Sequence, residues 1–394
     1  MKSIFKKKLL FLGGGYADVP LIKASKRLGY YVITSGNNAN DVGHKYADEY
    51  QYVDFSKKNE VLQLAKKLKI DRICPNCNDF SAISSAYVAE ILNLGGHDPL
   101  EICEILHHKD KFRSFAKDHD IPTVPARSFK PSKDSLNWAE NVGFPLLVKP
   151  VDMTGGKGIS KVNNSEEINY AYKKAVQISH SKRVLIEKFI EGSNHGFSAI
   201  LKKKKVVFAF TDNEHYYLNP FMVSAASTPT FLKGFVRNKL IKLTEKIANI
   251  LSLVDGIVHI QYIYCEDEPI IIEICRRPPG DLYVTLVEMA TNFSYSMEIV
   301  KGFAGITSNE KFFPKHNGFF IRHCVMAPKN GIIRSIHYDK SLDIKENFKI
   351  LHEGSKVSDY LAQKVSIIFV QFKSLKEMKI NANKINKFIK FEMC

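Results

Sequence analysis

Residues 269–281 read PIIIEICRRPPGD, and the fold of the whole chain turns on this stretch. Glu273, Cys275 and Arg277 stand two residues apart, so an extended backbone projects all three from one face. A carboxylate and a guanidinium side by side on an apolar strand, ended by Pro278-Pro279-Gly280, suit a metal and a polyphosphate. The carboxylate would hold the cation, and the arginine would clamp a phosphate or a developing acyl phosphate. A salt-bridged strand end without a ligand is the plainer reading of the same residues.

The residues just upstream bear on that choice. Val254-Asp255-Gly256 leads into IVHIQYIYC (257–265), followed by Glu266, Asp267 and Glu268. A hairpin whose loop is those three acids sets Gln261 opposite Glu273 and His259 opposite Cys275. A four-residue loop would turn Gln261 and Glu273 to opposite faces. The three-residue loop gathers Gln261, Glu273 and Arg277 into one patch.

With 394 residues the chain can build two or three domains around sizeable cores. No apolar run reaches membrane-spanning length, which argues against an integral membrane protein. The start, MKSIFKKKLLFLGGG, imitates a signal peptide, but its apolar part is only Leu9 to Leu12. No small-residue cleavage site follows, so it reads as a first strand and turn, and a cytoplasmic location is expected. A net charge of +16 raises nucleic acid as a partner. The lysines are dispersed, however, in runs such as Lys6-Lys7-Lys8 and Lys202 to Lys205, without finger spacing, helix-turn-helix or RNA-binding aromatics. A surface that attracts small anionic substrates accounts for them better. Cys74-Pro75-Asn76-Cys77 could be redox-active or half a zinc site, but no second pair completes it. A structural role is expected for the thiols.

The first hundred residues alternate strand and helix signals. KKLLFLGGG, YYVITSG and DRICPN read as strands, with helices over Ala17 to Leu28, Glu60 to Leu68 and Phe80 to Leu92. That alternation predicts a parallel sheet with crossover helices. Gly13, Gly14 and Gly15 suggest a dinucleotide turn, yet the third spaced glycine and the ribose-binding acid are missing. A nicotinamide dehydrogenase is disfavoured, although the turn could still receive an anion. From His107 the texture changes to HHKDKFRSFAKDHDIP, a helix closed by Ile121-Pro122. Two strands flank a glycine loop in FPLLVKPVDMTGGKGISKV, and a helix and the strand RVLIEKFIEG follow. A helix over Phe235 to Leu251 precedes the hairpin, and strands FFIRHCVMA and VSIIFVQF lie towards the end.

Three of these segments suit a nucleotide. Lys149 ends an apolar strand and would point a fixed cation beyond it. Gly155-Gly156-Lys157-Gly158 offers bare backbone N–H groups and an ammonium that can fold over a polyphosphate. Alone it is an ordinary mobile turn, and its spacing is not that of a Walker loop. Glu187, Lys188, Phe189 and Ile190 end a strand where an acid and free backbone groups could read an adenine edge. Asn194, beside His195, is placed to meet a ribose.

Taken in order, Lys111, Lys149, GGKG, EKFIEG and the hairpin resemble the ATP-grasp superfamily of carboxylate–amine ligases. Its members include biotin carboxylase, glycinamide ribonucleotide synthetase and the L-amino-acid ligases. The resemblance spans nearly the whole chain and implies an α/β ATP-grasp fold. A Rossmann-like domain would occupy residues 1–106 and the grasp 107–305, with its lid at about 113–190. A C-terminal β-rich lobe would fill 306–394.

The resemblance also implies roles. Lys111 and Lys149 would hold the ATP phosphates beneath Gly155, Gly156, Lys157 and Gly158. Glu187 and the Lys188, Phe189 and Ile190 backbone would bind adenine, with Asn194 and His195 at the ribose. Glu273 and Gln261 would hold Mg2+, and Arg277 and Lys157 would be catalytic, Arg277 by stabilising the acyl phosphate. RRPPGDLY resembles the RPGG stretch of amino-acid ligases, making Arg276 and Asp281 candidate contacts to the second substrate.

Two departures stand out. Members usually carry an acid at the position of Gln261 and an asparagine at that of Cys275. The expected activity is ATP-dependent amide formation through an acyl phosphate, releasing ADP and phosphate. The alternative is an ATP-binding pseudoenzyme or regulatory subunit with a degraded metal site. The expected partners are small carboxylates and amines, neither nucleic acid nor membrane, with a homodimer left open.

Overall fold

Leu9 to Leu12 are fully buried, and they form the centre of a parallel sheet. The computed structural model describes residues 6–394 except 129, 131, 132, 154, 307–311, 313 and 314. Strands β1 (Lys8–Leu12), β2 (Tyr31–Gly36), β3 (Glu49–Tyr52) and β4 (Arg72–Pro75) lie in the order β3-β2-β1-β4. A near-continuous apolar strand such as β1 needs cover on both faces. Crossover helices α1 (Val19–Arg27) and α2 (Lys58–Leu68) supply it, together with α3 (Asp79–Ile91), which follows β4 and packs back on the sheet.

The glycine turn after β1 closes on its own protein rather than on an anion. Asp18 is 3% exposed and accepts the Gly15 N–H at 2.9 Å. A Cβ at Gly13 would fall 2.5 Å from the Asn76 side chain and 2.7 Å from the Asp18 carboxylate. A carboxylate already fills the place the sequence left open for an anion.

Helices α4 (Leu100–His107) and α5 (Lys109–Asp118) then lead to a small antiparallel sheet. Its strands, β5 (Ala126–Ser128), β6 (Leu146–Pro150), β7 (Ser160–Val162) and β8 (Val184–Lys188), take the order β5-β8-β6-β7. Helices α6 (Lys133–Val142) and α7 (Ser165–Ile178) complete this unit, with Leu146, Val148, Ile168, Ala171 and Ile186 in its core.

The largest layer is an eight-stranded sheet. Its first members are β9 (Ser193–Lys202), β10 (Lys205–His215), β11 (Ala225–Thr228), β12 (Gly256–Cys265) and β13 (Glu268–Cys275). Helices α8 (Gly234–Ile250), α9 (Tyr283–Thr291) and α10 (Tyr295–Phe303) are interspersed along the chain. Beyond them come β14 (Phe319–Met326), β15 (Gly331–Tyr338), β16 (Ile344–Lys349), β17 (Lys356–Val357) and β18 (Lys364–Phe372), then α11 (Leu375–Asn381) and β19 (Ile389–Met393). The order β13-β12-β9-β10-β11-β14-β18-β16 carries the sheet straight across the expected limit at residue 305. β14 and β18 are buried on both faces, so they extend this sheet, while β17-β15-β19 form a separate one.

The β12–β13 hairpin reaches the expected register by another route. Its tip is a two-residue turn, Glu266 and Asp267 both having positive φ (49° and 61°), with Cys265 opposite Glu268. That turn alone would face Gln261 with Ile272. A bulge between Gln261 and Tyr262 absorbs one residue and restores Gln261 opposite Glu273 and His259 opposite Cys275. The outer edge of β13 is covered as well. Ile271 N–H reaches the Pro122 carbonyl at 2.9 Å, Thr123 donates to the Ile271 carbonyl at 2.8 Å, and Arg113 donates to the Ile272 carbonyl at 2.7 Å.

Burial pushes the Asp18 carboxyl up to about 7. A folded value above the unfolded one gives stability that is full below about pH 4 and is lost as pH rises through that folded value. Asp18→Asn is therefore expected to flatten the fall in melting temperature across this window. Thermal unfolding measured from acid to neutral pH checks it, and an unchanged slope rejects the assignment.

Candidate active site

A cavity of about 970 Å³ opens between the small antiparallel sheet and the eight-stranded one, which is room for a nucleotide and more. Its floor is one face of the large sheet. Glu273, Gln261, Gly196 and Asp212 form a row across β13, β12, β9 and β10. Two residues along, Glu214, Ala226 and Arg322 form another across β10, β11 and β14. Gly196 keeps the first row open, because a Cβ there would lie 2.5 Å from the Asp212 carboxylate.

On the opposite wall, Lys149 and Glu187 end neighbouring strands β6 and β8 and pair directly. Arg113 adds a second cation, Nη2 lying 3.1 Å from the other Glu187 oxygen. Burial alone would raise the Glu187 carboxyl, but Lys149 and Arg113 outweigh it and hold the group below its ordinary value. The Lys149 ammonium is lowered by burial, which its pairing with Glu187 only partly offsets.

Several expected residues line this cavity: Lys149, Gly155, Gly156, Glu187, Lys188, Phe189, Ile190, Asn194, Gln261, Glu273, Arg277 and Asp281. Gly156, at φ 72°, leaves no room for a Cβ, which would lie 2.5 Å from the Phe221 carbonyl. The glycine loop therefore touches the far rim and roofs the space. Thr154, at the start of the loop as read from sequence, lies outside the described residues.

Others are placed elsewhere. Lys111 pairs with Glu104 at 2.6 Å away from the cavity, and Lys109 lines it instead. Two residues turn a helix by about 200°, so only one of these lysines can face inward. Lys109 Nζ donates to the Met153 carbonyl at 3.0 Å and stands 3.9 Å from the Glu273 carboxylate. Lys157 is exposed and, like Gly158, is not part of the lining. His195 alternates with Asn194 along β9 and points to the reverse face, bonded to the Asp212 carbonyl and Ser193. Arg276 is buried in a structural clamp, with Nε on Asp98 at 2.8 Å and its other nitrogens on the Ile257 and Val254 carbonyls.

Arg277 is held by its edge. Nε donates to Asp79 at 2.7 Å and Nη1 to the Pro278 carbonyl at 3.2 Å, leaving its remaining N–H groups for the cavity. Cys275 is a poor metal ligand, since burial pushes its thiol up to about 12. His259 is bonded to Ser198 at 2.7 Å. No three His, Cys, Asp or Glu side chains group around a metal position among the described residues.

Sequence reasoning missed Lys109, Glu214, Arg322 and Lys364, all of which line the cavity. Glu214 accepts from Gln261 Nε2 at 2.6 Å and from Tyr216 at 2.8 Å. Burial, with the Asp212 charge adding, pushes its carboxyl up to about 7. Asp281 takes Tyr16 at 2.7 Å, Lys364 at 2.5 Å and Arg322 at 3.5 Å. Strand alternation through TDNEHYY could have shown Asp212, Glu214 and Tyr216 sharing a face.

The small antiparallel sheet, the eight-stranded sheet and the cavity between them define an ATP-grasp enzyme. Residues 108–304 match the family described as carbamoyl-phosphate synthase L chain, ATP binding domain, and the chain belongs to that family. Over 295 residues it is 29% identical to the formate-dependent phosphoribosylglycinamide formyltransferase of Prochlorococcus marinus subsp. pastoris, covering 73% of this chain and 74% of that one. Phosphoribosylglycinamide synthetase from Anaerococcus prevotii superposes with a TM-score of 0.77 at 24% identity, covering 99% of this chain and 100% of that chain. The L-amino acid ligase from Bacillus licheniformis gives 0.81 at 18% identity, covering 99% of each. The protein is an ATP-dependent ligase of the kind that forms C–N bonds through an acyl phosphate. No described helix is long and apolar enough to cross a membrane.

The clamp on Arg276 generates a prediction. Arg276→Ala leaves Asp98 buried without its cation and is expected to lose about 3–5 kcal/mol of stability. Nucleotide affinity of the folded protein should stay unchanged. Urea unfolding and titration with a non-hydrolysable ATP analogue check the two parts. A loss of affinity without a loss of stability would return Arg276 to the binding site.

Proposed function

We propose that Lys109, Lys149 and the Gly155-Gly156 backbone bind the ATP phosphates, while Glu187 and the Lys188 to Ile190 backbone hold the adenine. The observation that carries this reading is the meeting of Lys149, Glu187, Glu273 and Arg277 in one cavity. Asn194, which lines the same cavity, would meet a ribose hydroxyl. A substrate carboxylate oxygen attacks the γ-phosphorus, the bond to the ADP oxygen breaks, and ADP leaves. The amine nitrogen then bonds to the acyl carbon as phosphate departs with the C–O electron pair. One proton is released for each ammonium consumed. Arg277, fixed by Asp79, faces the developing acyl phosphate and spreads its charge.

The donor set fits a hard cation. The Glu273 carboxylate and the Gln261 amide face each other in register and line the cavity, whereas the protonated Cys275 thiol does not qualify. Mg2+ held there would neutralise charge on the transferring phosphate. Gln261 supplies an oxygen without a charge, so most of the hold on the ion would come from Glu273 and the nucleotide.

The test is ADP release from MgATP over a panel of small carboxylates and amines. Activity is expected with at least one pair. Arg277→Lys and Glu273→Gln should each lower kcat by about a hundredfold or more with the fold intact. Nucleotide binding without release for any pair would give the nucleotide-binding pseudoenzyme instead.

A further inference from the structure

Residues 373–390 read KSLKEMKINANKINKFIK, and the fold sorts them onto two faces. Met378, Ala382, Ile385 and Ile389, with Leu375 partly buried beside them, pack on the reverse side of the eight-stranded sheet, away from the cavity. Lys373, Lys376, Lys379, Lys384, Lys387 and Lys390 are all exposed. Their spacing of three follows α11 and then a 3₁₀ helix over Ala382–Phe388, in which residues three apart eclipse one another. The result is a ridge of lysines with Ile380, 52% exposed, in its midst. The backbone beneath is anchored, since Asn383 bonds His215 on β10 and Lys379 lies 5.3 Å from the centre of the Phe231 ring.

This ridge lacks the acids that balance lysines elsewhere. Its one acid, Glu377, is occupied at the start of α11. It accepts the Lys373 N–H at 2.7 Å, while Ser374 accepts the Glu377 N–H at 3.2 Å. On the adjoining strands, Asp339 accepts from Ser341 and Glu392 stands 3.5 Å from His337. None of the six lysines forms an ion pair among the described residues, whereas Lys205, Lys239 and Lys345 each have one.

We propose that this ridge docks on an anionic lipid surface. The segment holds lysine and no arginine, so it lacks the planar fork that grips the phosphates of a nucleic acid or the carboxylates of a peptide in pairs. No aromatic side chain of the segment is exposed to serve as a platform for bases. Protein interfaces are depleted in lysine. Diffuse lysine charge around one exposed aliphatic side chain suits headgroups, with Ile380 reaching towards the acyl boundary. Docking of this kind needs no spanning helix. It departs from the expectation of no membrane partner, and it is independent of the ligase reading.

The test mixes the full chain with vesicles of phosphatidylserine and phosphatidylcholine in equal parts, or of phosphatidylcholine alone, and reads the bound fraction by co-sedimentation. Binding is expected on the anionic vesicles only, and it should fall as salt rises. Lys376→Gln, Lys379→Gln, Lys384→Gln and Lys387→Gln together should weaken it about 600-fold, at about fivefold each. Four exposed lysines elsewhere, changed as Lys66→Gln, Lys67→Gln, Lys173→Gln and Lys174→Gln, should cost less than about tenfold. Melting temperature and affinity for a non-hydrolysable ATP analogue should hold in both variants. No binding to anionic vesicles, or equal loss from the two sets of four, overturns the proposal. Binding to a generic DNA duplex or to polyglutamate, with none to vesicles, overturns it as well. The comparison of the two vesicles needs only the unaltered protein, so it decides the matter even if a variant fails to fold.

Discussion

Two adjacent arginines at the end of β13 fasten the hairpin to the N-terminal sheet layer through buried carboxylates. Arg276 holds Asp98 at 2.8 Å, and Arg277 holds Asp79 at 2.7 Å. Charges of this kind are costly to bury and far costlier to leave unpaired, so the pairs work as geometric constraints more than as sources of stability. His107 locks the arrangement from below. Its Nδ1 bonds Asp79 at 2.8 Å and its Nε2 accepts the Arg276 N–H at 3.1 Å, which only one neutral tautomer can do. The layers that enclose the cavity are thus joined where Arg277 must be aimed.

The cavity charges are arranged by the same economy. Lys149 is matched by Glu187, Lys364 by Asp281, and Lys109 stands near Glu273. Each of these three lysines has a carboxylate within ion-pair range, although Arg113 and Lys109 still repel Lys149 and help burial to lower its ammonium. Small residues decide where charge is concentrated. Gly196 and Ala226 hold space between Gln261, Asp212, Glu214 and Arg322, where any larger side chain would fill the floor.

Much of this was legible in sequence, for physical reasons. β1, β2 and β4 are short apolar runs between helical stretches, which a parallel sheet requires. Glu273 and Arg277 share a face because their separation is even. The same parity puts Arg276 on the reverse side, where Asp98 takes it, so the pattern already told against a substrate role. Lys109 rather than Lys111 lines the cavity, and that helical phase cannot be fixed without knowing where α5 begins. β3, reading EYQY, carries no apolar signal and is a strand only because β2 offers an edge. Alternation along β10 could group Glu214 with Asp212, but its meeting with Arg322 and Lys364 was out of reach for another reason. Strands β10, β14 and β18 lie far apart in the chain, and only the sheet order brings them to one cavity.

The surplus residue in β13 gives Arg113 an importance beyond its ion pair. One guanidinium nitrogen grips both the Ile272 carbonyl, at 2.7 Å, and the Glu187 carboxylate, at 3.1 Å. Because side chains alternate along a strand, the location of that extra residue decides whether Glu273 looks inward or outward. A helix outside the sheet thereby acts as an index pin for the ribbon. It ties the orientation of the reactive acid to the wall that would cradle the base, so neither can slip by a notch without pulling on the other.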